Sequence, residues 1–218
     1  MANLAHAFAK AGIVGAGPWQ IVWAALPEAV RRRLGGFTEQ HLSSTAWAFA
    51  KAGHASLELF GAIAAAAVRR GLDGFKPQEL SNTAWAFATA GQASLELFGA
   101  ISAEAVRRGL GGFNQQELSN TAWAFATAGH ASSELFSAIS AEAVRRRLGD
   151  FNPQDLSNTA WAFATAGHAS SELLHAISAE AVRRRLGGFN EQALSNTCLL
   201  YTSPSPRDLS TSRMPSSA

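Results

Sequence analysis

The sequence predicts an all-α fold, an α–α superhelix (solenoid) of 38-residue helix–turn–helix repeats. A recurring stretch, helix boundary signals in each copy and an apolar period of 3.6 residues support this class. The stretch LSNTAWAFATAG begins at Leu80, Leu118 and Leu156, and a looser copy begins at Leu42. Strict repetition at such a period is typical of solenoids, because one unit cannot bury its apolar side without a neighbour. The interval of 38 residues is marked by Trp47, Trp85, Trp123 and Trp161.

The chain divides into three parts. Residues 1–36 form an irregular first repeat, in which residues 2–12 are similar to residues 43–53 at an offset of 41. Met1 then falls at a position inside a helix, so we expect this repeat to be truncated. Residues 37–197 hold the regular repeats. Residues 198–218 are rich in Ser and Pro, as disordered segments are, and they also resemble a translated sequencing adapter, so we expect an artefactual tail.

Both helices of the repeat at residues 113–150 have recognisable ends. Asn114 is a good N-cap, and Glu117 completes a capping box. The first helix should end at Gly129, because glycine commonly terminates helices. After a short loop, the second helix carries Glu134 in its first turn and arginines in its last, which suits the helix dipole. Each repeat is therefore predicted to be a hairpin of two helices.

Three stripes run along the first helix of this repeat. Two are mostly apolar and one is mostly polar: Leu118, Thr121, Ala122 and Phe125; Ser119, Trp123 and Ala126; and Glu117, Asn120, Ala124 and Thr127. A helix that is apolar on two sides is enclosed by its neighbours. We therefore expect the first two stripes, with the tryptophan, to lie in the core, and the third to be displayed.

Composition and motifs argue against several classes of protein. The formal charge is only +2, and the one cysteine, Cys198, permits neither a disulfide framework nor a Cys-rich metal site. The longest apolar run, residues 59–68, is too short to span a bilayer, so no membrane partner is expected. There is no P-loop, and the glycines at 15 and 17 lack the context of a dinucleotide site. We expect no enzyme, no cofactor and no small-molecule substrate.

Three histidines follow the helix-ending glycines. His54, His130 and His168 recur because the repeat recurs. Neighbouring copies should lie roughly 10 Å apart across packed helices, too far to share a metal ion. We expect them to be exposed loop residues, and no metal site is predicted.

Clusters of arginine close the second helices. They hold 13 of the 18 basic residues, at Arg31–Arg33, Arg69–Arg70, Arg107–Arg108, Arg145–Arg147 and Arg183–Arg185. A row of guanidinium groups could neutralise the phosphates of an extended strand. Arginines at a helix end also stabilise the helix and pair with glutamates three or four residues earlier, so both interpretations stay open. Arg147 and Arg185, beyond the reach of such pairs, are better phosphate candidates than Arg145 and Arg183.

An asparagine recurs in the polar stripe. Asparagine is a poor residue for a helix interior, so its recurrence indicates a role. One role is a ladder of hydrogen bonds between stacked helices; the other is contact with base edges, for which the amide has both donor and acceptor. Solenoids that read RNA use two or three side chains per unit. The candidate RNA-binding residues are Asn82, Asn120, Asn158, Lys51, Arg70, Arg108, Arg146, Arg147, Arg184 and Arg185.

The repeat resembles a known family at these residues. PQDLSNTAWAFATAGHAS, at residues 153–170, is similar to the octotricopeptide repeat, and also to the leucine-rich helical region of FAST-kinase-like proteins. The likeness covers nearly all of residues 37–197. It implies selective binding of single-stranded RNA, and a role in processing, stability or translation of transcripts in plastids or mitochondria, although no targeting peptide is visible in this fragment. A protein-interaction scaffold of the same architecture is the alternative.

Near-identity of the repeats adds one expectation. If one unit reads one base, units with the same polar stripe should read the same base. The array would then favour a low-complexity run of RNA.

Overall fold

All regular structure in the computed structural model is helical within the residues it describes, which are 2–11, 34–168, 170–185 and 187–189. The predicted all-α class is confirmed for these ranges. The helices are α1 Ala2–Lys10, α2 Glu39–Lys51, α3 Leu57–Arg70, α4 Pro77–Thr89, α5 Leu95–Arg108, α6 Gln115–Thr127, α7 Ser133–Arg145, α8 Pro153–Thr165 and α9 Ser171–Arg183, with a 3₁₀ turn at Leu110–Gly112. Arg31–Arg33, most of the irregular first repeat and the tail lie outside the described residues.

Four complete hairpins lie within the described residues after α1. Unit 1 spans residues 37–74, unit 2 spans 75–112, unit 3 spans 113–150 and unit 4 spans 151–188. In unit 3, Asn114 Oδ1 accepts a hydrogen bond from the Glu117 amide at 2.8 Å, and Glu117 Oε2 accepts one from the Asn114 amide at 2.8 Å. The predicted capping box is therefore confirmed. At the other end, Gly129 has a positive φ of 70°, a conformation that glycine adopts without strain.

The helices form two rows, which differ in how tightly neighbouring helices pack. The first helices of the hairpins (α2, α4, α6 and α8), together with α1, pack tightly side by side, whereas the second helices (α3, α5, α7 and α9) contact one another sparsely. Alanines make the close row possible, since Ala86, Ala124 and Ala162 are fully buried. The fold is therefore a helical solenoid, and we call the side formed by the first helices its inner side and the side formed by the second helices its outer side.

Phenylalanines join one unit to the next. Phe98 of α5 meets Phe125 of α6 with ring centroids 4.9 Å apart, and Phe136 of α7 meets Phe163 of α8 at 5.0 Å. All four side chains are at most 1% exposed. Burial of each contributes about 1.5–3 kcal/mol. Because these pairs cross unit boundaries, the core belongs to the stack rather than to any single unit.

Candidate nucleic-acid interface

One arginine per unit binds the linker that leads into its own unit. Arg146, at the end of α7, donates from Nη1 to the Phe113 carbonyl at 2.6 Å and from Nη2 to the Gly111 carbonyl at 3.0 Å. Its Nε also donates to Glu142 at 2.6 Å. The equivalent contacts to linker carbonyls are made by Arg70, Arg108 and Arg184. We call this row of arginines and linkers the linker edge. It gives these four candidate residues a structural role that the sequence analysis did not assign.

The preceding arginine in units 2 to 4 pairs with the same glutamate. Arg145 donates to both carboxylate oxygens of Glu142, at 2.8 and 2.6 Å, while its own side chain stays 66% exposed. The hydrogen bond from this arginine, with the charge of Arg146, lowers the pKa of Glu142 to about 2. Glu104 and Glu180 have the same arrangement and the same lowered pKa. The sequence-based prediction of intrahelical ion pairs is therefore confirmed.

Three candidate cations keep exposed side chains. Arg147 and Arg185 lie just past the ends of α7 and α9, at positive φ values of 56° and 51°. Lys51 is the last residue of α2. None of the three has a side-chain hydrogen bond or ion pair with another residue of the described ranges. They are not brought together, because the arginines lie at the linker edge and the lysine at the opposite end of the first helices.

The displayed stripe of the first helices differs from the predicted one. In unit 3, Ala124 is fully buried, so the predicted third stripe is wrong at that position, and Trp123 is half-buried, packed against the edge of the core. The tryptophan shares a face with the asparagine, because residues three apart are neighbours on a helix. We call the half-exposed and exposed positions the inner face. They are Gln40, Ser44, Trp47 and Lys51 in unit 1; Gln78, Asn82, Trp85 and Thr89 in unit 2; Gln116, Asn120, Trp123 and Thr127 in unit 3; and Gln154, Asn158, Trp161 and Thr165 in unit 4.

Aromatic rings form a continuous row along the inner face. Ring centroids of successive tryptophans lie 6.4, 6.4 and 6.3 Å apart, with interplanar angles of 35°, 31° and 31°. His6 of α1 occupies the tryptophan position and extends the row, 5.1 Å from Trp47. Pairs at this distance stabilise each other beyond their area burial. Within the described residues no indole N–H donates to a protein acceptor, and none is buried.

The asparagines do not form the hydrogen-bond ladder considered from the sequence. A serine one position earlier forms it instead: Ser81 Oγ donates to the Glu117 carbonyl at 3.1 Å, and Ser119 Oγ donates to the Asp155 carbonyl at 3.1 Å. In the described ranges, the side chains of Asn82 and Asn120 have no hydrogen-bond partner. The amides of the inner face are therefore available to a ligand.

Asn158 is the exception among the three. Its Oδ1 accepts a hydrogen bond from Gln154 Nε2 at 2.8 Å. Because a carbonyl oxygen has two lone pairs, this bond leaves one acceptor site and both amide donors available. Gln154 and its equivalents were not singled out from the sequence, although their spacing of four residues from the asparagine places them on the same face.

The histidines after the first helices are inter-unit contacts rather than exposed loop residues. His130 stacks on Phe98 of the preceding unit, with ring centroids 5.1 Å apart and an interplanar angle of 26°. His168 lies 5.7 Å from Phe136. Both are half-buried. The expectation of exposed histidines was wrong because the loop folds back on the neighbouring second helix.

An open groove lies on the outer side of the array. It has a volume of about 460 Å³, and its lining includes Leu95, Phe98, His130 and Glu134. Leu95 is 75% exposed, and Leu57 is 74% exposed at the equivalent position of unit 1. Within the described residues, no cluster of three potential metal ligands occurs and no helix is long and apolar enough to cross a membrane.

The comparisons with known proteins concern the junctions between units. Segments 65–83, 103–121 and 132–159 match the family model described as "Protein of unknown function (DUF1601)", and together they cover less than a third of the chain. A comparison with curated proteins gave no match. Each matched segment runs from a second helix, through the linker and its arginine, into the next first helix. The feature that this chain shares with that family is therefore the junction at which one helical unit is joined to the next.

Proposed function

We propose that this protein binds single-stranded RNA along its inner face and acts as a binding module rather than as an enzyme. The observation that carries the proposal is the row of amides and tryptophans, in which Asn82, Asn120 and Asn158 lie beside indole rings at regular spacing. Aromatic side chains and hydrogen-bonding groups are what unstacked bases require. The resemblance to the octotricopeptide repeat supports the same conclusion.

Charge on the inner face limits how the RNA is held. In units 1 to 4, Lys51 is the one cation among the sixteen inner-face positions, and most other basic groups are bound at the linker edge. Affinity for single strands falls with salt with a slope of about −0.7 per phosphate neutralised. Contacts to bases, more than contacts to phosphates, would therefore carry the affinity. The family resemblance further suggests a plastid or mitochondrial transcript as the target.

The proposal is tested by binding of labelled oligouridylate, oligoadenylate and oligocytidylate 12-mers to the full chain between about 25 and 200 mM salt. We expect binding with a shallow salt slope, about −2 or less steep, because few phosphates are neutralised. Absence of binding to every oligomer at low salt would refute the RNA role. Equal affinity for all of them at every salt concentration would refute base recognition.

A protein partner is the second candidate. The outer groove beside Leu95, with Leu57 equally exposed at the equivalent position of unit 1, favours it, because large exposed apolar side chains can mark interaction sites. Replacing Leu57 and Leu95 with serine, the residue at the equivalent positions 133 and 171, separates the two functions. A scaffold would lose its partner with these changes, whereas RNA binding at the inner face would be unaffected.

A further inference from the structure

Two lysines stand at one end of the inner side of the array. Lys10 is the last residue of α1 and Lys51 is the last residue of α2, and both side chains are exposed. The equivalent positions of units 2, 3 and 4 hold the neutral residues Thr89, Thr127 and Thr165. Within the described residues, this row of helix ends therefore carries lysine only in α1 and in unit 1.

The packing of α1 on α2 brings the two lysines side by side. His6 of α1 lies against Trp47 of α2, with ring centroids 5.1 Å apart. Each lysine follows its ring by four residues, and residues four apart are neighbours on a helix. The register that pairs the rings therefore also pairs the lysines. Axes of packed helices lie about 8–10 Å apart, and the flexible four-carbon stem of lysine can reach across part of this gap.

Neither lysine is used by the fold as the structure describes it. Among the described residues, neither ammonium group makes a hydrogen bond or an ion pair. A cation in the last turn stabilises a helix by about 0.3–1 kcal/mol, but α4, α6 and α8 end at threonine without one. Two like charges on adjacent helices also repel each other. Helix stabilisation accounts for each lysine singly but not for the pair, whose repulsion a bound anion would relieve.

We propose that Lys10 and Lys51 bind two consecutive phosphates of the single strand. The array would then have a backbone-binding end at α1 and unit 1, and a base-contact end at units 2 to 4. This inference rests on the RNA-binding function proposed above. If successive bases lie along the ring row, the phosphates that join them recur at the interval of the units. Lysines on adjacent helices then face adjacent phosphodiester groups.

Unit 1 also differs from the later units at the asparagine position. Ser44 stands there, and its hydroxyl donates to the His41 carbonyl at 3.3 Å. Unit 1 therefore lacks the amide that units 2 to 4 present and carries Lys51 on the same stripe, two turns on from Ser44. Its contact with the strand rests on the ring and the cation, which bind any sequence. The lysine pair thus fixes one end of the strand and sets which bases reach units 2 to 4.

Salt dependence of binding locates the phosphate contacts. The affinity of the full chain for an oligouridylate 12-mer is measured for the wild type and for Lys51→Thr, which introduces the residue of units 2 to 4. Loss of one phosphate contact should make the slope of log affinity against log salt shallower by about 0.7. Because this contribution vanishes near about 1 M salt, the variant should bind about 13-fold more weakly at about 25 mM and about threefold more weakly at about 200 mM. Lys10→Thr should give the same changes.

Lys76→Asn is the matched control. It also removes one positive charge and introduces the residue of the equivalent positions 114 and 152, but it lies at the start of α4, at the other end of the first helices. Its slope should equal that of the wild type. The reverse change, Thr89→Lys, extends the lysine row into unit 2 and should make the slope steeper by about 0.7. Both positions are exposed, so neither change should disturb the fold.

A neutral strand separates phosphate contacts from other effects of the lysines. An oligouridylate 12-mer with methylphosphonates in place of phosphates should bind the wild type and Lys51→Thr with equal affinity, because no phosphate charge remains. Unchanged slopes in both lysine variants would overturn the phosphate assignment and leave RNA binding intact. An equal loss in Lys76→Asn, or an equal loss of affinity for the neutral strand, would overturn it in the same way. Absence of binding of any strand to the wild type would instead refute the proposed function itself.

Discussion

The linker edge and the inner face run along the same array and use their polar groups in opposite ways. At the linker edge, Arg146 is 15% exposed and its guanidinium is bound to three linker carbonyls and a carboxylate. At the inner face, Asn120 and Trp123 keep their polar groups unpaired within the described residues. Recurrence of a residue therefore does not by itself distinguish a binding surface from a structural contact. The distinction lies in whether the protein already satisfies the group.

The largest expected effect is the loss of stability at low pH, because acid protonates one glutamate of the linker edge in each of three units. The pKa of Glu104, Glu142 and Glu180 is lowered from 4.5 to about 2 in the folded chain by hydrogen bonds from arginine. The unfolded chain binds more protons between these values, so their contribution to stability is complete above about pH 4.5 and is lost as pH falls towards 2. Urea unfolding midpoints measured from pH 6 to pH 2 check this. Replacing all three with glutamine should lower the midpoint at pH 6 and flatten its pH dependence.

Adjacent arginines of unit 3 give the sharpest contrast at the linker edge. Arg146→Ala should lower the free energy of unfolding by about 1.5–3 kcal/mol, because it removes the hydrogen bonds of a largely buried guanidinium to the linker carbonyls and one of the two ion pairs of Glu142. Arg145→Ala removes only an exposed ion pair and should cost less than about 1 kcal/mol. Chemical denaturation of the two variants compares them. Equal costs would show that the linker contacts do not stabilise the stack.

Neighbouring residues of α6 give the corresponding contrast for the first-helix row. Ser119→Ala removes a hydrogen bond between helices and should destabilise by about 1 kcal/mol. Asn120→Ala should stabilise by about 0.5 kcal/mol, since alanine is the better helix former and the amide has no partner to lose. Thermal unfolding of both variants tests this. A destabilised Asn120→Ala would mean that the amide serves the fold and would weaken its assignment to recognition.

The smallest effect concerns a position at which units differ. Gly109 ends α5 with a φ of 70°, and Arg147 occupies the same position after α7 with a φ of 56°. A side chain in this region is strained, so Arg147→Gly should raise the free energy of unfolding by about 0.5–1 kcal/mol. Unfolding midpoints of the variant and the wild type provide the measurement. An unchanged or lower midpoint would mean that the arginine side chain makes up for the strain.

Local features of the fold could be predicted from the sequence. Asn114 and Glu117 are three residues apart, so the capping box needs no information from elsewhere in the chain. The period of 38 residues can be read directly from the repeated sequence. The positions of helix ends likewise depend on residues that are close together in the chain. The same locality explains why the pairing of Glu142 with Arg145 and Arg146 was predictable.

Contacts between units could not be predicted in the same way. The linker carbonyls to which Arg146 donates lie 33 to 36 residues earlier in the chain, in a linker whose path depends on the whole hairpin. Trp123 was assigned to the core because alanines flank it at helical spacing. Those alanines pack against the neighbouring first helices, which displaces the larger indole towards the inner face. Side-chain size at a close helix contact, more than apolar character, decided its place.

The junction of units 2 and 3 is equivalent to that of units 3 and 4. The serine–carbonyl hydrogen bonds, the arginine–linker hydrogen bonds and the ring contacts of one recur in the other, with serine–carbonyl distances of 3.1 Å and tryptophan spacings of 6.4 and 6.3 Å. Deletion or duplication of one 38-residue block would therefore create no new interface. The array can therefore gain or lose whole units during evolution while the fold stays the same.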